Sequence, residues 1–438
     1  MCFSAGASER VSPFGTHAHT DALKALEHGN YAQSLQRSKA ILAQQPDDFL
    51  AQYLFAFSAL ELGEYKNASK AAQSAYRLAP TTRDQFLAAR VAANAKFRSK
   101  HFTQAEWWLR RAANKTSSPE EAQTVSNEFH AIRRQNPLSL RFGFSIAPSS
   151  NINGGTEERT FSLGEFDFIY GEGSRSLSGV EYAGNIDASY RLSESAIQQT
   201  RAGIYLFGRT YSLSAESQTR VPNASGSDYA LGLAEVSLSQ SRSIFDGLGP
   251  TEVSLHFGQV WYGGDPFWRY GKLSVAQSFP LGESAVGSLK ASFEDQYSLN
   301  TSQPDTKIYD LQGTYAKSLS NQDTISVTLS SRFNDAAFAT NTFTDHSATV
   351  GYSLAQPVLG SKLSLSIGVG AKAYDEFSLS LNGRYDEYIT VGATALMENI
   401  SFLGFSPSVM LSATKTRSNV TRFSTLELSA RIGIQSNF

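Results

Sequence analysis

The chain has 438 residues, of which 18% are charged and 12% aromatic, and its formal net charge is −2 at pH 7. This near-neutral balance argues against a nucleic-acid partner, and the single cysteine, Cys2, excludes an internal disulfide and a cysteine-based metal site. No run of 18 apolar residues could form a transmembrane helix. At this length two domains are expected.

The first residues resemble the tail of a secretory signal. Met1–Ser8 lacks the basic start and the apolar core of roughly 7–15 residues that a signal peptide requires. Ala5-Gly6-Ala7 nevertheless has the small residues of a cleavage site. We therefore expect a truncated gene start, with residues 1–17 forming a residual signal or a disordered start. The nearby pair His17 and His19 is expected to be incidental, so no metal site is predicted.

Residues 18–136 have a helical pattern and an internal repeat. The segment is rich in Ala, Gln, Glu and Leu, and Gly29-Asn30-Tyr31 recurs as Gly63-Glu64-Tyr65 after 34 residues. That spacing is the period of tetratricopeptide repeats. A weaker third copy, His101–Ala105, lies about three residues out of register. We predict a tetratricopeptide-like helical domain, which a last amphipathic helix and Pro137 bring to an end.

Two interpretations of this helical domain are open. Its repeats could form a concave groove that binds an extended peptide. In that case the repeat register places four side chains along the groove, namely Leu50, Tyr53, Phe57 and Leu60. Alternatively, two to three repeats are near the minimum for a solenoid, and the helices simply pack on each other.

From Leu138 onward the periodicity changes to two. Alternating apolar and polar residues, as in Leu363–Ile367, recur in 14 stretches of about the length that crosses a membrane as a tilted strand. The links between them alternate between short and long, and several aromatic residues near strand ends suit an interfacial girdle. Examples are Trp261, Tyr262, Trp268 and Tyr270. We predict an α+β multidomain protein in which residues 137–438 form a 14-stranded antiparallel transmembrane β-barrel.

The first strand leads into a long segment, Pro148–Ser178, that is unusually aromatic for a loop. Pro148 lacks an N–H for a strand ladder and is expected to end the strand. The amides of Asn151 and Asn153 can bond to exposed backbone in the loop that follows. An ordinary turn is one interpretation. We favour the other, in which the loop packs into the lumen or over its mouth and gates the pore.

Several charged residues fall on the inward-facing phase of their strands. They are Arg141, Glu181, Asp187, Arg191, Glu294 and Arg431. Their mixed signs argue against a strongly anion-selective or cation-selective channel. His256 is predicted to face the lumen from the fifth strand as an ordinary polar residue. The sequence has no phosphate-binding loop and no Gly-x-Ser-x-Gly elbow, so we predict no catalytic residue, no cofactor and no enzyme activity.

The last strand has a strong amphipathic pattern. From Leu426 to Phe438 apolar residues alternate with Glu, Ser, Arg, Gln and Asn. An apolar outer face that ends on a terminal Phe is typical of the closing strand of an outer-membrane barrel. The resemblance to such barrels implies that Ile432, Ile434 and Phe438 form the signal that the barrel assembly machinery reads.

The junction Ile146-Ala147-Pro148-Ser149-Ser150-Asn151-Ile152-Asn153 resembles the Pro-x-x-Asn-Ile-Asn element at the start of the barrel in the Slam family, the surface lipoprotein assembly modifiers. The order of a repeat domain, this junction and a barrel is similar as well. The resemblance implies an outer-membrane translocator or assembly factor with its helical domain in the periplasm. Its implied partners are a surface lipoprotein or secreted protein cargo, the barrel assembly machinery and outer-membrane lipid. A polysaccharide-export porin or a general outer-membrane porin is the alternative.

Overall fold

The computed structural model describes residues 17–163, 166–300, 303–378, 380–397, 400 and 405–436. The chain divides into two compact units, and the main boundary lies between Asn136 and Pro137. The proposed signal remnant at residues 1–16 lies outside the described residues. His17 already belongs to the first helix, so the assignment of this residue to a disordered start was wrong.

The helical unit is built from consecutive antiparallel helices. In the described residues these are α1 (His17–Glu27), α2 (Tyr31–Gln44), α3 (Phe49–Glu61), α4 (Tyr65–Leu78), α5 (Thr82–Arg98), α6 (Phe102–Ala113) and α7 (Pro119–Gln135). Small side chains on α4 let the neighbouring helices approach closely. Ala68, Ala72 and Ala75 of this helix are fully buried. None of the described helices is both long enough and apolar enough to cross a membrane.

The repeat is visible in how the first helix of each pair ends. Gly29 and Gly63 adopt left-handed backbone with φ of 71° and 83°, and Lys100 takes the same position in the third pair with φ of 62°. In each case the N–H of the following residue donates to a carbonyl in the last turn of the helix, as the Asn30 N–H does to the Ala25 carbonyl. The third copy is out of register because α5 has 17 residues, whereas α3 has 13.

Lys100→Gly is expected to stabilise the helical unit by about 1 kcal/mol, because a side chain in left-handed backbone carries a steric cost that glycine lacks. Thermal unfolding followed by the helical circular dichroism signal would show a higher midpoint. The matched change, Gly63→Lys, should lower the midpoint by a similar amount. A midpoint that falls for both variants would contradict this account.

The second unit is a closed antiparallel barrel, which confirms the predicted fold class. Every barrel strand pairs with its sequence neighbour, and β1 closes the ring by pairing with both β4 and β16. The barrel strands are β1 (Leu138–Ser149), β4 (Gly179–Glu194), β5 (Gln198–Leu213), β6 (Leu231–Arg242), β7 (Thr251–Tyr262), β8 (Asp265–Pro280), β9 (Ala285–Ser298), β10 (Thr306–Ser318), β11 (Thr324–Ala336), β12 (Phe343–Ser353), β13 (Lys362–Tyr374), β14 (Arg384–Leu396), β15 (Phe405–Ser418) and β16 (Thr425–Ser436). A separate hairpin of β2 (Thr160–Leu163) and β3 (Phe166–Ile169) lies in the link between β1 and β4, and a short helix α8 (Ala215–Arg220) follows β5.

The alternation of side chains gives the barrel an apolar exterior and a polar interior. Phe144 of β1 and Ile432 of β16 are 51% and 62% exposed on the outer surface, while Arg431 points inward and bonds to Glu181. Because lipid can satisfy no backbone hydrogen bond, only helices and closed barrels span membranes. A closed barrel with this polarity is the architecture of outer-membrane channels.

The predicted alternation of link lengths holds only in part. The links 243–250 and 354–361, which should be short, have eight residues, whereas the links 337–342 and 419–424, which should be long, have six. We call the end of the barrel that carries the 150–178 link the long-link end, and the opposite end the short-link end. At the long-link end β7 and β8 are joined by only two residues, Gly263 and Gly264, whose φ values of 59° and 94° form a tight hairpin. This link is therefore too short to cover the rim of the barrel between β7 and β8.

Candidate functional site

The two asparagines of the junction act as predicted on the backbone of their own loop. The Asn151 amide donates to the Gly155 carbonyl and accepts from the Gly155 N–H, both at 2.8 Å. Asn153 accepts from the Leu177 N–H at 3.0 Å and donates to the Arg175 carbonyl at 2.8 Å. These bonds join the beginning of the loop to its end. The junction motif is therefore a structural clasp at the base of the loop.

Pro148 lies inside β1 and does not end it, because the strand continues to Ser149. Towards β16 the register passes from Ile146–Ile432 to Ser149–Ser429, so Pro148 sits where this ladder is interrupted. Its missing N–H explains the interruption.

The same loop is tied to two neighbouring links at the long-link end. The Thr156 hydroxyl donates to the Thr421 carbonyl at 3.0 Å, and Arg422 donates to the Ser174 carbonyl at 2.8 Å. Arg220 after β5 bonds to the Glu172 carboxylate at 2.6 Å, and this contact lowers the pKa of Glu172. The base of the loop is thus fastened to its neighbours. Three of the residues that make this loop aromatic, Phe161, Phe166 and Phe168, have side chains outside the described ones, and gating stays a prediction.

Ion pairs between strands and within strands line the interior, and the predicted inward residues take part in several of them. Arg141 bonds to Asp187 at 3.0 Å, and Lys272 lies 3.3 Å from Glu294. Further inward pairs are Arg431–Glu181, Arg191–Glu194, Arg332–Asp310 and Arg384–Asp386. These pairs place cations and carboxylates side by side on the inner wall, in keeping with the mixed signs predicted from the sequence.

Two lumenal tyrosines reach a carboxylate across a glycine. The hydroxyl of Tyr270 on β8 donates to Glu235 on β6 at 2.5 Å, passing over Gly258 of the intervening strand β7. A Cβ at Gly258 would lie 2.4 Å from the Tyr270 ring. In the same way Tyr388 passes over Gly370 to Asp345. Tyr270 therefore lines the lumen, and its assignment to the interfacial girdle was wrong.

Gly258→Ala should push the Tyr270 ring away and cost about 1–2 kcal/mol, because Glu235 loses a hydrogen bond. Tyr270→Phe should cost a similar amount. The double variant should cost little more than either single change, since both remove the same bond. Urea unfolding of the barrel in lipid vesicles measures all three, and fully additive losses would contradict the shared contact.

His256 faces the lumen as predicted, but it is part of a network. Its ring bonds to Glu235 at 2.8 Å and to Ser254 at 3.1 Å. The contact with Glu235 had no sequence signal, since it depends on the register of two strands. Ser254 could have been found from the period of two, because it lies two residues before His256 on the same face of β7. In contrast, His19 in the helical unit is buried and bonds to Asp48 at 3.0 Å. The described residues contain no group of side chains arranged to hold a metal ion.

Two of the four residues predicted to line the groove, Tyr53 and Phe57, lie in a row of rings on α3, and the groove itself stays a prediction. Phe49, Tyr53 and Phe57 form a ladder of half-buried rings with centroids 6.3 and 6.5 Å apart. Leu50 is also half-buried. Leu60 is 1% exposed and belongs to the core, so its assignment to the groove was wrong. The apolar stripe of α3 is wide. One part of it, which includes Leu60, packs in the core, and another part forms the ladder.

Basic residues of α5 lie near this ladder but are neutralised. Arg83 pairs with Glu121 and Arg90 with Glu128, both on α7. Loss of water raises the pKa of Tyr53 to about 12, although both arginines oppose the shift. The ladder is therefore an apolar surface without net charge, which suits an apolar or aromatic segment of a partner chain.

The predicted assembly signal is only partly visible. Ile432 and Ile434 lie on the outer face of β16, opposite Ile146 and Phe144 of β1. Phe438 lies outside the described residues. The structure thus places these two isoleucines on the lipid side of the closing seam.

No protein-family model matches the chain, and no curated protein matches it. Among solved structures, the first TPR domain of human RPAP3 is similar over 27% of this chain and 87% of its own, with 16% identity and a TM-score of 0.24. The anion-selective porin from Comamonas acidovorans is similar over 69% of this chain and 100% of its own, with 13% identity and a TM-score of 0.35. A bacterial polysaccharide outer membrane secretin is similar over 68% and 98%, with 9% identity and a TM-score of 0.34. These low values do not place the chain in a family.

Proposed function

We propose that this protein is an outer-membrane translocator that delivers a lipoprotein or a related polypeptide to the cell surface. In this proposal the helical unit lies in the periplasm and captures an extended segment of the cargo on the α3 ladder. The barrel then passes the cargo across the membrane. The resemblance of the junction to the Slam family supports the proposal.

One observation carries the proposal: the lumen is open and polar. Inward-facing side chains in the middle of strands, such as Lys290, Gln312 and Ser366, are exposed. A cavity of about 350 Å³ lies along this wall beside Lys290 and Gln312. Fourteen strands give a lumen between the side-chain-filled barrels of eight strands and the open porins of 16–18. An extended cargo chain carries positive and negative groups. The ion pairs of this wall contain both cations and carboxylates, so the wall can contact groups of either sign.

The longest links support one direction of insertion. In outer-membrane barrels the long links are extracellular and the short turns periplasmic. The helical unit is joined to the start of β1, which is the short-link end of that strand, because α7 ends at Gln135 and β1 begins at Leu138. This connectivity supports a periplasmic helical unit.

Co-expression tests the proposal. The full chain is produced in a Gram-negative host together with a lipoprotein encoded beside it, and protease shaving of intact cells reports cargo exposure. Full-length protein should expose the cargo, whereas a variant lacking residues 17–136 should not, although its barrel still inserts as a heat-modifiable band. Equal exposure with and without the helical residues would contradict capture by that unit.

A general channel is the second candidate, and the exposed polar lumen side chains favour it. The purified protein in planar bilayers would then conduct ions steadily in the absence of cargo. A closed barrel that opens only when cargo is added would favour translocation instead. Loss of capsule with normal lipoprotein display on deletion of the gene would favour polysaccharide export.

A further inference from the structure

Ser254, His256 and Glu235 are arranged as a nucleophile, a base and an orienting carboxylate. Ser254 and His256 are two residues apart on β7, so both face the lumen. The Ser254 Oγ lies 3.1 Å from His256 Nε2, and His256 Nδ1 lies 2.8 Å from Glu235 Oε1 on β6. These are the contacts by which an imidazole takes a proton from serine while a carboxylate holds the other ring nitrogen.

The hydrogen bonds fix which ring nitrogen carries the proton. An ionised carboxylate can only accept, so Nδ1 of His256 donates to Glu235. Nε2 is then the free acceptor, and the Ser254 hydroxyl donates to it. This is the tautomer in which His256 acts as a base towards Ser254.

The surroundings hold the carboxylate in place and supply donors nearby. Tyr270 donates to the second oxygen of Glu235 at 2.5 Å, so both carboxylate oxygens are bonded. On β8, Lys272 lies directly opposite His256 and Ser274 lies directly opposite Ser254. Ser274 is 3% exposed, and its hydroxyl has no hydrogen-bond partner among the described residues. Its hydroxyl and that of Ser239, which lies directly opposite Ser254 on β6, are the donors closest in register to a charge developing beside Ser254, and the Lys272 ammonium follows one pair along the strand.

We propose that these residues form a hydrolytic site that cleaves short acyl esters in the lumen. Ser254 Oγ bonds to the ester carbonyl carbon as His256 Nε2 takes the serine proton. The carbon–oxygen bond of the ester then breaks, and the alcohol leaves with that proton. Water next attacks the acyl-serine, gives a proton to His256, and releases the carboxylic acid as the proton returns to Ser254. Glu235 is a positioning residue that holds the imidazole.

The burial of the nucleophile sets the size of the acyl group. Ser254 is only 7% exposed, whereas the ring of His256 keeps a quarter of its surface open. A bulky or branched acyl group could not reach Oγ without moving Ser274 or a neighbouring strand. An acetyl or similarly short group is the class that fits.

The test uses the full chain folded in detergent micelles, with a heat-modifiable band as proof of folding. An ethoxy fluorophosphonate reporter and p-nitrophenyl acetate are the probes. Mass spectrometry should place the phosphonate on Ser254, and Ser254→Ala should abolish both labelling and ester hydrolysis. His256→Asn should slow both by at least about 100-fold. Ser330→Ala, a lumenal serine far along the wall on β11, should behave as the unaltered chain.

The role of Glu235 has its own readout. Glu235→Gln should slow labelling and shift its pH profile, because an amide no longer favours the productive tautomer. Glu235→Asp should restore part of the rate, which a merely structural loss would not predict. The proposal is overturned if folded protein does not hydrolyse p-nitrophenyl acetate, or if Ser254→Ala hydrolyses it at the unaltered rate. Faster hydrolysis of p-nitrophenyl decanoate than of the acetate would overturn the assignment to short acyl groups.

Discussion

Ile367→Arg is expected to lower the free energy of unfolding of the barrel by about 2–4 kcal/mol, which is the cost of a cation on the lipid face near the midplane. Ile367 is 48% exposed on the outer face and lies between Val350 and Val391 of the neighbouring strands. Arginine there would place its guanidinium among lipid tails. Snorkelling towards an interface recovers only part of this cost.

Ser366→Arg tests the opposite face at the adjacent position. Ser366 is exposed towards the lumen and lies in register with Gly351 and Gly392. Neither neighbour has a side chain, so an arginine can extend into the open interior. We expect a change of less than about 1 kcal/mol, the usual range for a substitution that leaves a polar surface polar.

Urea titration of protein folded into lipid vesicles measures both variants. Ile367→Leu is the matched control, because it keeps the outer face apolar and should change the free energy of unfolding by less than about 1.5 kcal/mol. Equal losses for Ile367→Arg and Ser366→Arg would show that the assigned strand phase is wrong. A larger loss at Ser366 would mean that the interior at this level is packed.

The regular parts of this fold were predictable because they depend on periodicity. A strand repeats every two residues, so Ile367 and Ser366 could be assigned to opposite faces from the sequence alone. The helical repeat was also readable, since Gly29 and Gly63 occupy the same left-handed position. The third copy was weak because Lys100 replaces that glycine and α5 is longer.

The site could not be predicted in the same way, because it depends on register between strands. Glu235 meets His256 only because β6 and β7 pair so that Ser237 lies opposite His256. Nothing in the local sequence specifies that pairing. Tyr270 was misassigned for a related reason. Its position near a strand end suggested a membrane interface, yet the bare backbone of Gly258 lets it cross to Glu235.

Replacing the ladder should reduce cargo display while leaving the barrel intact. We expect Phe49→Gln and Tyr53→Gln each to weaken cargo capture by about tenfold, since the loss of a half-buried aromatic contact is worth about 1–2 kcal/mol. The double variant should reduce display by roughly 100-fold if the two contacts act independently. Protease shaving of cells that co-express the neighbouring lipoprotein measures the exposed cargo, and the heat-modifiable band measures folded barrel.

Trp107→Gln is the matched control because it also removes a partly exposed aromatic side chain from the helical unit. Trp107 is 42% exposed on α6 and lies under the guanidinium of Arg111, 5.5 Å from its ring centroid. It does not belong to the α3 ladder, so display should stay unchanged. Helical circular dichroism must show that all variants remain folded, since Tyr53 also packs against the core. If Trp107→Gln reduces display as strongly as the ladder variants, general loss of apolar surface explains the effect and capture on α3 is contradicted. If no ladder variant reduces display while removal of residues 17–136 does, the helical unit acts through a different surface.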